Sequence, residues 1–578
     1  MTEIDLHRPY AETQSEQVHP LVEAHRETLA DAADALARRI YYSRYPESPS
    51  PRVYGEQAAD AGEQAFESAR HADFSALADQ PSTGELVGAE VSPYGPPLGV
   101  SYPQLDVDTA IGAARSAIPA WRDAGATTRA SVCVEIIEAI NKRSHEMAHA
   151  VMHTSGQPFV MAFQAGGPHA QDRALEAVTA ALVEQQRVPE HVIWEKPTRK
   201  DPIRMAKDYR IVPRGVALVI GCNTFPTWNA YPGVFASLAT GNPVIIKPHP
   251  GAILPLALTT AIAREVLAEA GFDRALVQLA PENPGGTLAK TLALREEIVI
   301  VDYTGGPAFG EWLERDVAGP GTQVYAEKAG LNSVILDSTD DLKGTLGNLA
   351  FSFSLYSGQM CTAPQNIYVP ASGITTDEGE LDFDDFAGRL AGAISAFTAD
   401  PEKAVQILGA LVNDGVRGRA AGVQQLADDL GGTVILDSRP ITHRQFPDAD
   451  VRTPAMIAVE AANDTAYTQE CFGPVAFLIR VDSTDEALQK FTHTVSAHGA
   501  ITAAVYASDE TVLEHARDAA ARAGVALSEN LTGQVFVNQT AAFSDYHATG
   551  ANPAANAAYT DAAFVASRFR VVTSRRHI

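Results

Sequence analysis

The feature that most constrains this chain is a series of short, predominantly apolar segments between residues 215 and 302. These segments are Gly215–Gly221, Asn242–Lys247, Ala275–Ala280 and Glu297–Asp302, and helical patterns separate them. Strands without polar alternation are typical of a parallel sheet whose two faces are both covered, and the intervening helices supply that cover. The sequence therefore predicts an α/β fold with a nucleotide site at the carboxyl edge of this sheet.

A second alternation of strands and helices follows residue 327. Its helical patterns lie near residues 383–398 and 509–523. Its strand-like segments are Ser333–Asp337, Asn366–Val369, Pro474–Val481, Ile501–Tyr506 and Gln534–Val537. This series predicts a second α/β domain.

Composition limits the classes of partner. The 578 residues carry 44 Lys and Arg against 71 Asp and Glu, which gives a net charge of −27. Such an acidic chain is repelled by nucleic acid and by anionic membrane surfaces, so we expect neither as a partner. No apolar run approaches the roughly 20 residues of a membrane span. Because the four cysteines show no disulfide or zinc spacing, we expect reduced thiols and a cytoplasmic protein.

One cysteine, Cys361, stands in a loop between two apolar segments, where a nucleophile would be accessible. Upstream, Glu327 lies between the strand-like segments Gln323–Ala326 and Ser333–Leu336, where a turn would expose its carboxylate. A thiolate can attack a carbonyl carbon, and a carboxylate can then activate the water that releases the acyl group. This pair predicts covalent catalysis with Cys361 as the nucleophile and Glu327 as the base.

A competing motif runs from His145 to His149, with Glu146 directly after the first histidine. It matches the zinc-peptidase pattern of two histidines one helical turn apart, with glutamate as the base. The pattern is short enough to recur by chance, and the surrounding residues 127–153 fit an ordinary helix with one apolar face. A zinc metallopeptidase is therefore a remote alternative, and we predict no metal site.

Taken in order, these segments resemble the aldehyde dehydrogenase superfamily. The matching residues, which extend over almost the whole chain from about residue 85, are Trp121 and Arg122, Phe225 and Pro226, Ala239–Pro248, Tyr303–Gly306, Glu327, Gly358–Cys361, Glu470–Pro474, and Val537 and Asn538. More narrowly, the N-terminal extension and the segment Gly221–Trp228 resemble the phenylacetate-degradation aldehyde dehydrogenases called PaaN. The resemblance implies an NAD(P)-dependent aldehyde dehydrogenase with a Rossmann-type cofactor domain and a second, catalytic α/β domain.

The resemblance also implies a division of the chain and an assembly. Strand-like segments near residues 203–212 and 568–573 suggest a homodimer or higher homo-oligomer, by family analogy. The expected units are a helical N-terminal extension at 1–75, a dinucleotide-binding domain at 76–326 with an oligomerisation arm at 195–212, a catalytic domain at 327–540, and a C-terminal oligomerisation tail at 541–578.

Attack on an aldehyde creates an oxyanion that preorganised donors must stabilise. The N–H of Cys361 is one expected donor. The family's second donor is an asparagine side chain directly before Phe-Pro, but Thr224 occupies that position here and Asn223 lies one residue earlier. Either a remodelled turn brings the Asn223 amide to the site or the Thr224 hydroxyl replaces it, and we favour Asn223.

By the same resemblance, Lys247 would reach the adenosine ribose and Glu470 the nicotinamide ribose, with Phe472 beside it. Three glycines would let the pyrophosphate approach the backbone closely, namely Gly305, Gly306 and Gly310. These six residues are the expected dinucleotide contacts.

The residues after Lys247 bear on the choice of dinucleotide. NAD-preferring relatives often carry a carboxylate three residues further on, where this chain has Pro250. A carboxylate about 4 Å from a 2′-phosphate would repel it by roughly 4 kcal/mol at an effective dielectric of 20, before screening. Without that carboxylate, the sequence predicts use of NADP in preference to NAD.

The PaaN resemblance implies a substrate, a ring-opened semialdehyde thioester of coenzyme A (3-oxo-5,6-dehydrosuberyl-CoA semialdehyde), and a separate hydratase that opens the ring. Glu327 favours release of a free acid, since relatives that acylate coenzyme A commonly lack this carboxylate. Two alternatives stay open: an enzyme that acylates coenzyme A, and a catalytically impaired binding protein if Thr224 spoils the oxyanion site.

Overall fold

The computed structural model of this chain describes residues 19–319, 321–328 and 330–578. Its α-helices, numbered α1 to α21 in chain order, are Pro20–Ala24, Arg26–Arg38, Pro51–Tyr54, Ala58–Ala69, Val107–Asp123, Gly125–Asn141, Ser144–Ser155, Phe159–Gly166, Pro168–Gln186, Pro226–Ala239, Leu254–Glu269, Leu288–Ala293, Pro307–Trp312, Leu342–Ser354, Phe383–Phe397, Pro401–Ala404, Asp414–Ala421, Val423–Asp429, Thr484–His498, Glu510–Ala523 and Ala562–Ala566. None of the helices in these ranges is long and apolar enough to cross a membrane.

The β-strands, numbered β1 to β22 in chain order, form several sheets. Their bounds are Ser82–Val87, Tyr102–Leu105, His191–Lys196, Ile203–Pro213, Val216–Ile220, Val244–Lys247, Val277–Leu279, Ile298–Thr304, Gln323–Glu327, Ser333–Leu336, Ser338–Thr339, Asn366–Pro370, Ile374–Thr376, Gly379–Leu381, Thr433–Leu436, Pro440–Ile441, Val451–Arg452, Ala455–Glu460, Val475–Val481, Thr502–Tyr506, Ala526–Glu529 and Phe569–His577.

The first large sheet has five parallel strands in the order β7-β6-β5-β8-β9. Alternate side chains of its strands enter two different apolar clusters. Val219 and Ile246 pack with α10 and α11 on one face, whereas Leu218 and Ile245 pack with α5 and α12 on the other. This two-sided burial explains the unbroken apolar segments and confirms the predicted α/β fold.

The second large sheet has seven strands in the order β15-β18-β19-β12-β10-β20-β21. All neighbours are parallel except β15 and β18. The predicted strand at Gln534–Val537 is wrong: these residues lie in turns, and β21 takes the edge position. Val537 is buried in a loop packed on this sheet, so its apolar character reflects loop packing. The domain boundaries stay a prediction.

The helix α7 carries the zinc-peptidase motif and contradicts that interpretation. Glu146 accepts two hydrogen bonds from the Arg143 guanidinium, at 2.6 and 2.8 Å. The His145 ring packs edge-on against Phe163, and the His149 ring stacks on Phe66 of α4. The N-terminal extension thus covers α7, and the α7 histidines pack against aromatic rings instead of converging on a metal ion.

The chain's last strand belongs to a small antiparallel sheet of order β22-β4-β3. The two segments near 203–212 and 568–573 therefore pair with each other within one chain. Just before β22, the buried Arg568 guanidinium donates to both carboxylate oxygens of Asp302 on β8, at 2.8 and 2.6 Å. This ion pair ties the C-terminal segment to the five-stranded sheet.

Candidate active site

A cleft of about 720 Å³ opens at the carboxyl edge of the five-stranded sheet. Clefts of about 300–1,000 Å³ commonly hold small-molecule ligands. The residues assigned to cofactor or oxyanion binding that line this cleft are Asn223, Thr224, Lys247, Gly305, Gly306 and Phe472. The cleft is therefore the candidate dinucleotide site.

Two residues assigned to the cofactor lie elsewhere. Gly310 is buried in α13, where an added Cβ would lie 2.6 Å from the Lys328 side chain, so its lack of a side chain serves packing. Glu470 is an exposed loop residue and is not among the described residues that line the cleft. Phe472 is the member of this loop that reaches the cleft wall.

The turn after β8 offers backbone that a bulky anion can approach. A Cβ added to Gly306 would meet no atom within 4 Å, so its backbone faces open space. Gly305 donates its N–H to the Glu327 carbonyl at 3.1 Å, and a Cβ there would lie 2.5 Å from the Tyr303 hydroxyl. Gly305 therefore requires the absence of a side chain, whereas Gly306 leaves its backbone open to an approaching anion. Together with Lys247 on the cleft wall, these residues fit a dinucleotide.

Lys247 ends β6 and forms an ion pair with Glu282, which lies in the loop after β7. The two side chains are only 5% and 10% exposed. Glu282 also accepts the N–H of Leu288 at 2.8 Å, which fixes the carboxylate in place. A carboxylate therefore stands beside Lys247 although the residues that directly follow the lysine supply none. The expected preference for NADP rested on the absence of such a group.

The loop that carries Cys361 is held in an unusual backbone conformation. Tyr356 and Ser357 both have φ near +53°, a left-handed conformation that costs about 1–3 kcal/mol for each non-glycine residue. The Asn332 amide donates to the carbonyls of Cys361 and Ala363, at 2.7 and 2.9 Å. The nucleophile loop is therefore fixed from both sides.

Glu327 is the last residue of β9, and its side chain is buried. Its Oε2 lies 3.1 Å from Nε2 of His547, and the Asn229 amide nitrogen lies 3.4 and 3.5 Å from its two oxygens. Burial alone would raise the pKa of Glu327, but the charge and hydrogen bond of His547, with hydrogen bonds from Cys361 and Tyr559, lower this pKa below its ordinary value. The carboxylate is therefore ionised at neutral pH.

Cys361 is partly buried beside this carboxylate. Its Sγ lies 3.9 Å from Nε2 of His547, and the reactive atoms of Cys361, His547 and Glu327 all lie within 4.8 Å of one another. Burial raises the pKa of the thiol well above its ordinary value, and the Glu327 charge raises it further. Three such groups could share a metal ion, but here Glu327 and His547 already pair with each other. The structure thus brings the predicted nucleophile and base together.

The two candidates for the second oxyanion donor line the dinucleotide cleft. The Asn223 amide donates to the Thr154 carbonyl at 2.9 Å, so one of its N–H groups is engaged by the end of α7. The Thr224 carbonyl accepts a hydrogen bond from the Gln157 amide at 2.7 Å. Within the described residues, neither side chain hydrogen-bonds Cys361, so the choice between them stays a prediction.

Apolar side chains surround the approach to Cys361. The small cluster beside the nucleophile loop comprises Met161, Phe225, Leu355, Tyr356 and Met360, with Trp228 packed against it. Arg173, a buried cation on this side, lies over the Trp228 ring but is engaged by Glu176 at 2.8 Å and by the Asp545 carbonyl at 2.9 Å. This environment favours a substrate that is apolar next to its reacting carbon.

Sequence reasoning missed four residues of the site: His547, Tyr559, Asn229 and Glu282. The first two lie in the segment 541–560, which is rich in alanine and asparagine and shows no motif. In the structure, this segment runs beside β9, where Asn556 hydrogen-bonds Ala326. No local signal in the sequence could have placed these residues beside Glu327, because the contacts depend on the tertiary fold.

A family model described as the aldehyde dehydrogenase family matches residues 101–560. The crystal structure of an NAD-dependent aldehyde dehydrogenase from Burkholderia multivorans is 53% identical in sequence, with a TM-score of 0.94, and the match covers 97% of this chain and 100% of that one.

More distant matches agree on the fold. A 1-pyrroline-5-carboxylate dehydrogenase from Thermus, with bound NAD, has a TM-score of 0.71 at 17% identity and covers 93% of this chain and 99% of that one. Among curated relatives, the N-succinylglutamate 5-semialdehyde dehydrogenase of Chromobacterium violaceum is 28% identical over 398 residues, which are 66% of this chain and 73% of that protein.

Proposed function

The chain belongs to the aldehyde dehydrogenase family, and we propose that it oxidises an aldehyde to a free carboxylic acid through Cys361 and Glu327. The observation that carries this proposal is the proximity of the Glu327 carboxylate and the Cys361 sulfur, which lie within 4.8 Å of each other. The backbone of Glu327 is joined to the cleft through the hydrogen bond that its carbonyl accepts from Gly305. A nucleophile alone would serve many acyl-transfer reactions. A nucleophile with an ionised base beside it suits attack followed by hydrolysis.

The chain's own residues provide binding, the covalent step and hydrolysis. Lys247, Gly305, Gly306 and Phe472 would hold the dinucleotide in the cleft. The dinucleotide, when bound, supplies the hydride acceptor. The sulfur of Cys361 bonds to the aldehyde carbon, and after oxidation the substrate is a thioester on that sulfur. Glu327 then takes a proton from the attacking water, the carbon–sulfur bond breaks, and the acid leaves.

For the substrate, we propose a semialdehyde whose chain is apolar beside the aldehyde, with the coenzyme A-linked semialdehyde implied by the PaaN resemblance as the first candidate. The apolar cluster around Cys361 supports this choice. The curated relatives act on N-succinylglutamate semialdehyde by name, and that compound carries carboxylates that would need nearby cations. Arg173 is engaged internally, which disfavours such a substrate. A separate hydratase and a reducing, cytoplasmic location belong to the same proposal.

The experiment that tests this function is a dinucleotide-reduction screen over three aldehyde classes: the coenzyme A-linked semialdehyde, N-succinylglutamate semialdehyde and unsubstituted aliphatic aldehydes. We expect the highest kcat/KM with the first and release of a free acid. Product analysis with added coenzyme A separates hydrolysis from acylation, because an acylating enzyme would form a new thioester. Folded protein that reduces no dinucleotide with any aldehyde would contradict the proposal.

Cofactor choice can be tested at Glu282. We propose that its carboxylate, beside Lys247, disfavours a 2′-phosphate and makes NAD the better ligand. Repulsion of roughly 4 kcal/mol at 4 Å and an effective dielectric of 20 is an upper bound before screening, so we expect Glu282→Gln to improve NADP binding relative to NAD by about tenfold or more. Titration calorimetry with each dinucleotide measures the ratio.

Glu297 offers a matched control for that experiment. It lies at the opposite, amino edge of the same sheet, directly before β8. We expect Glu297→Gln to leave the ratio of NAD to NADP affinity unchanged. The unaltered protein could bind NAD and NADP equally well, or Glu282→Gln could show the same ratio of NAD to NADP affinity as the control. Either result would show that Glu282 does not determine the choice of dinucleotide.

We also propose that the β22-β4-β3 sheet is an assembly surface in a homo-oligomer. Its outer strands carry exposed apolar residues, among them Ile193, Val571 and Val572. Exposed apolar residues that share one sheet are typical of a covered interface.

A further inference from the structure

We propose that His547 is a third catalytic residue, which takes the thiol proton of Cys361 and holds it against the Glu327 carboxylate while the sulfur acts as a thiolate. The inference rests on the proposed function in one respect, namely that Cys361 is the nucleophile. It extends that function, because Cys361 and Glu327 by themselves place no cation beside the sulfur.

The geometry places one imidazole nitrogen between the two reacting groups. Nε2 of His547 lies 3.1 Å from Oε2 of Glu327 and 3.9 Å from Sγ of Cys361. The side chains of His547 and Glu327 are 2% and 1% exposed, so water screens neither contact. A proton on Nε2 can therefore be shared between a carboxylate and a thiolate in a site of low dielectric.

The thiol needs such a partner. Burial and the Glu327 charge both raise the pKa of Cys361, so an isolated thiol here would be protonated and unreactive at neutral pH. A carboxylate beside a thiolate adds repulsion, and an imidazolium between the two removes it. Cysteine nucleophiles in other enzymes are activated by a paired histidine in this way.

The two ring nitrogens of His547 differ in their surroundings. None of the described residues gives the buried Nδ1 a hydrogen-bond partner, whereas Nε2 faces the Glu327 carboxylate. The partner of one ring nitrogen normally fixes which nitrogen carries a proton. A proton taken from Cys361 would therefore lie on Nε2, between the thiolate and the carboxylate.

The protons balance in each step. The S–H bond of Cys361 breaks and an N–H bond forms at Nε2, which leaves a thiolate, an imidazolium and the Glu327 carboxylate. The sulfur then bonds to the aldehyde carbon while His547 keeps the proton. In the final step, once the substrate is a thioester, Glu327 takes a proton from water, the resulting hydroxide bonds to the acyl carbon, and the C–S bond breaks. The departing sulfur becomes a thiolate beside the imidazolium again, and Glu327 returns its proton to solvent as the acid leaves.

Three non-glycine residues around His547 have left-handed backbone conformations. Phe543, Ala548 and Thr560, which flank His547 in the segment 541–560, all have φ between +60 and +68°. Such conformations are costly for non-glycine residues and persist where the surroundings enforce them, most often at functional sites. Within the segment, the N–H of Tyr559 donates to the His547 carbonyl at 3.0 Å.

The N-terminal extension clamps the same segment from outside. Tyr42 packs edge-on against Phe543 with ring centroids 5.0 Å apart. Arg39 lies 3.9 Å over the Tyr546 ring and donates to its hydroxyl at 2.6 Å. Across the site, Trp228 packs edge-on against His547 itself at 4.7 Å. The extension therefore stabilises the position of the segment that carries His547.

Several other titratable groups lie near Cys361 and His547, and their charges bear on the design of the test. They are Glu327, Tyr559, Cys222 and Glu470, all of which interact electrostatically with Cys361 or Glu327. Each is an acid that is anionic when it loses its proton, so none can supply the positive charge that a thiolate needs. A loss of thiol reactivity on replacement of His547 therefore reports on its imidazole.

The test measures alkylation of Cys361 by iodoacetamide in protein without dinucleotide or aldehyde, with the modified peptide quantified by mass spectrometry. The unaltered protein is expected to react rapidly from mildly acidic pH upward. An ordinary thiol of pKa about 8.5 is only about 3% ionised at pH 7. We therefore expect His547→Gln to slow alkylation at pH 7 by at least about 30-fold and to move the pH profile upward.

Two further variants separate a catalytic role from a structural one. His153→Gln removes a buried histidine in α7 that packs on Phe66, and its alkylation profile is expected to match that of the unaltered protein. His547→Ala leaves room for a free imidazole, which is expected to restore part of the alkylation rate. An unchanged pH profile in folded His547→Gln protein overturns the proposal, whether or not turnover falls.

If the His547 variants do not fold, the unaltered protein still decides the matter. The ultraviolet absorbance of a thiolate should be present at pH 6 and should disappear when Cys361 is alkylated. Its absence at that pH would overturn the proposal. Since none of these measurements needs an aldehyde, they can succeed even if the proposed oxidation fails, and they can fail while oxidation stands.

Discussion

Replacing Cys361 by alanine is expected to reduce aldehyde-dependent dinucleotide reduction by at least about 10⁴-fold while dinucleotide binding stays within a few-fold of its original strength. Removing the nucleophile of a covalent enzyme has costs of this order, because the remaining site can only bind and polarise the substrate. Binding should persist because Lys247, Gly305 and Gly306 line the cleft, whereas Cys361 is not among the described residues that line it. Initial rates and equilibrium titration measure the two effects separately.

The other thiols make this prediction sharper. Cys133 and Cys471 are buried, whereas Cys222 lines the cleft and is partly accessible. We therefore expect Cys222→Ala to keep a covalent acyl group on the Cys361 peptide and Cys361→Ala to lose it. An acyl group on Cys222, or retention of a tenth of the original rate in Cys361→Ala, would contradict the assignment of Cys361 as the nucleophile.

The sequence was informative where function depends on local pattern. The apolar segments around Val219 and Ile246 predicted a parallel sheet because burial on both faces removes polar alternation. The ends of such strands meet at one edge, and Lys247 and Glu327 end β6 and β9 there, but the role of Lys247 came from the family resemblance. The false zinc motif failed for a related reason: a helix buried on all sides carries histidines for packing as readily as for metal binding.

The remainder of the site depends on contacts between distant segments. Glu282 reaches Lys247 only because β7 lies beside β6, and the residues after Lys247 gave no indication of this pair. His547 reaches Glu327 because an irregular segment with left-handed residues runs along β9. Irregular backbone has no periodicity, so neither hydrophobic pattern nor spacing could have revealed the histidine.

Replacing Glu327 by glutamine is expected to convert continuous turnover into a single burst of reduced dinucleotide. The amide keeps the shape of the carboxyl group but cannot accept a proton from water. Loss of a positioned base typically costs about 10² to 10⁴ in rate, so we expect the thioester to accumulate. Rapid mixing measures the burst, and mass spectrometry of the whole protein measures the acyl group on Cys361.

Glu470 provides a matched control for this substitution. It is a nearby but exposed carboxylate in the loop before Phe472. We expect Glu470→Gln to show ordinary linear progress curves without a trapped acyl group. A Glu327→Gln protein that turns over linearly at the original rate would exclude Glu327 as the base for hydrolysis.

The pH dependence follows from the neighbours of Glu327. Burial raises its pKa, but His547 and the surrounding hydrogen bonds lower it below the ordinary value of a glutamate. A base with a lowered pKa is ionised above that pKa and is lost only as the pH falls through it. Hydrolysis of the thioester should therefore persist to lower pH than for an ordinary glutamate, and the acid limb of kcat should disappear in Glu327→Gln.

The burst also separates the two roles that Glu327 has in the site. As a partner of the His547 imidazolium, it supports formation of the thiolate, and this role affects the rate of the burst. As a base, it activates water, and this role affects the steady rate after the burst. Because glutamine removes both, we expect a slower burst and a far slower steady rate. In His547→Gln, slow formation of the thioester should limit turnover, so dinucleotide reduction should be slower but linear, without a burst. The presence or absence of a burst thus distinguishes activation of water from activation of the sulfur.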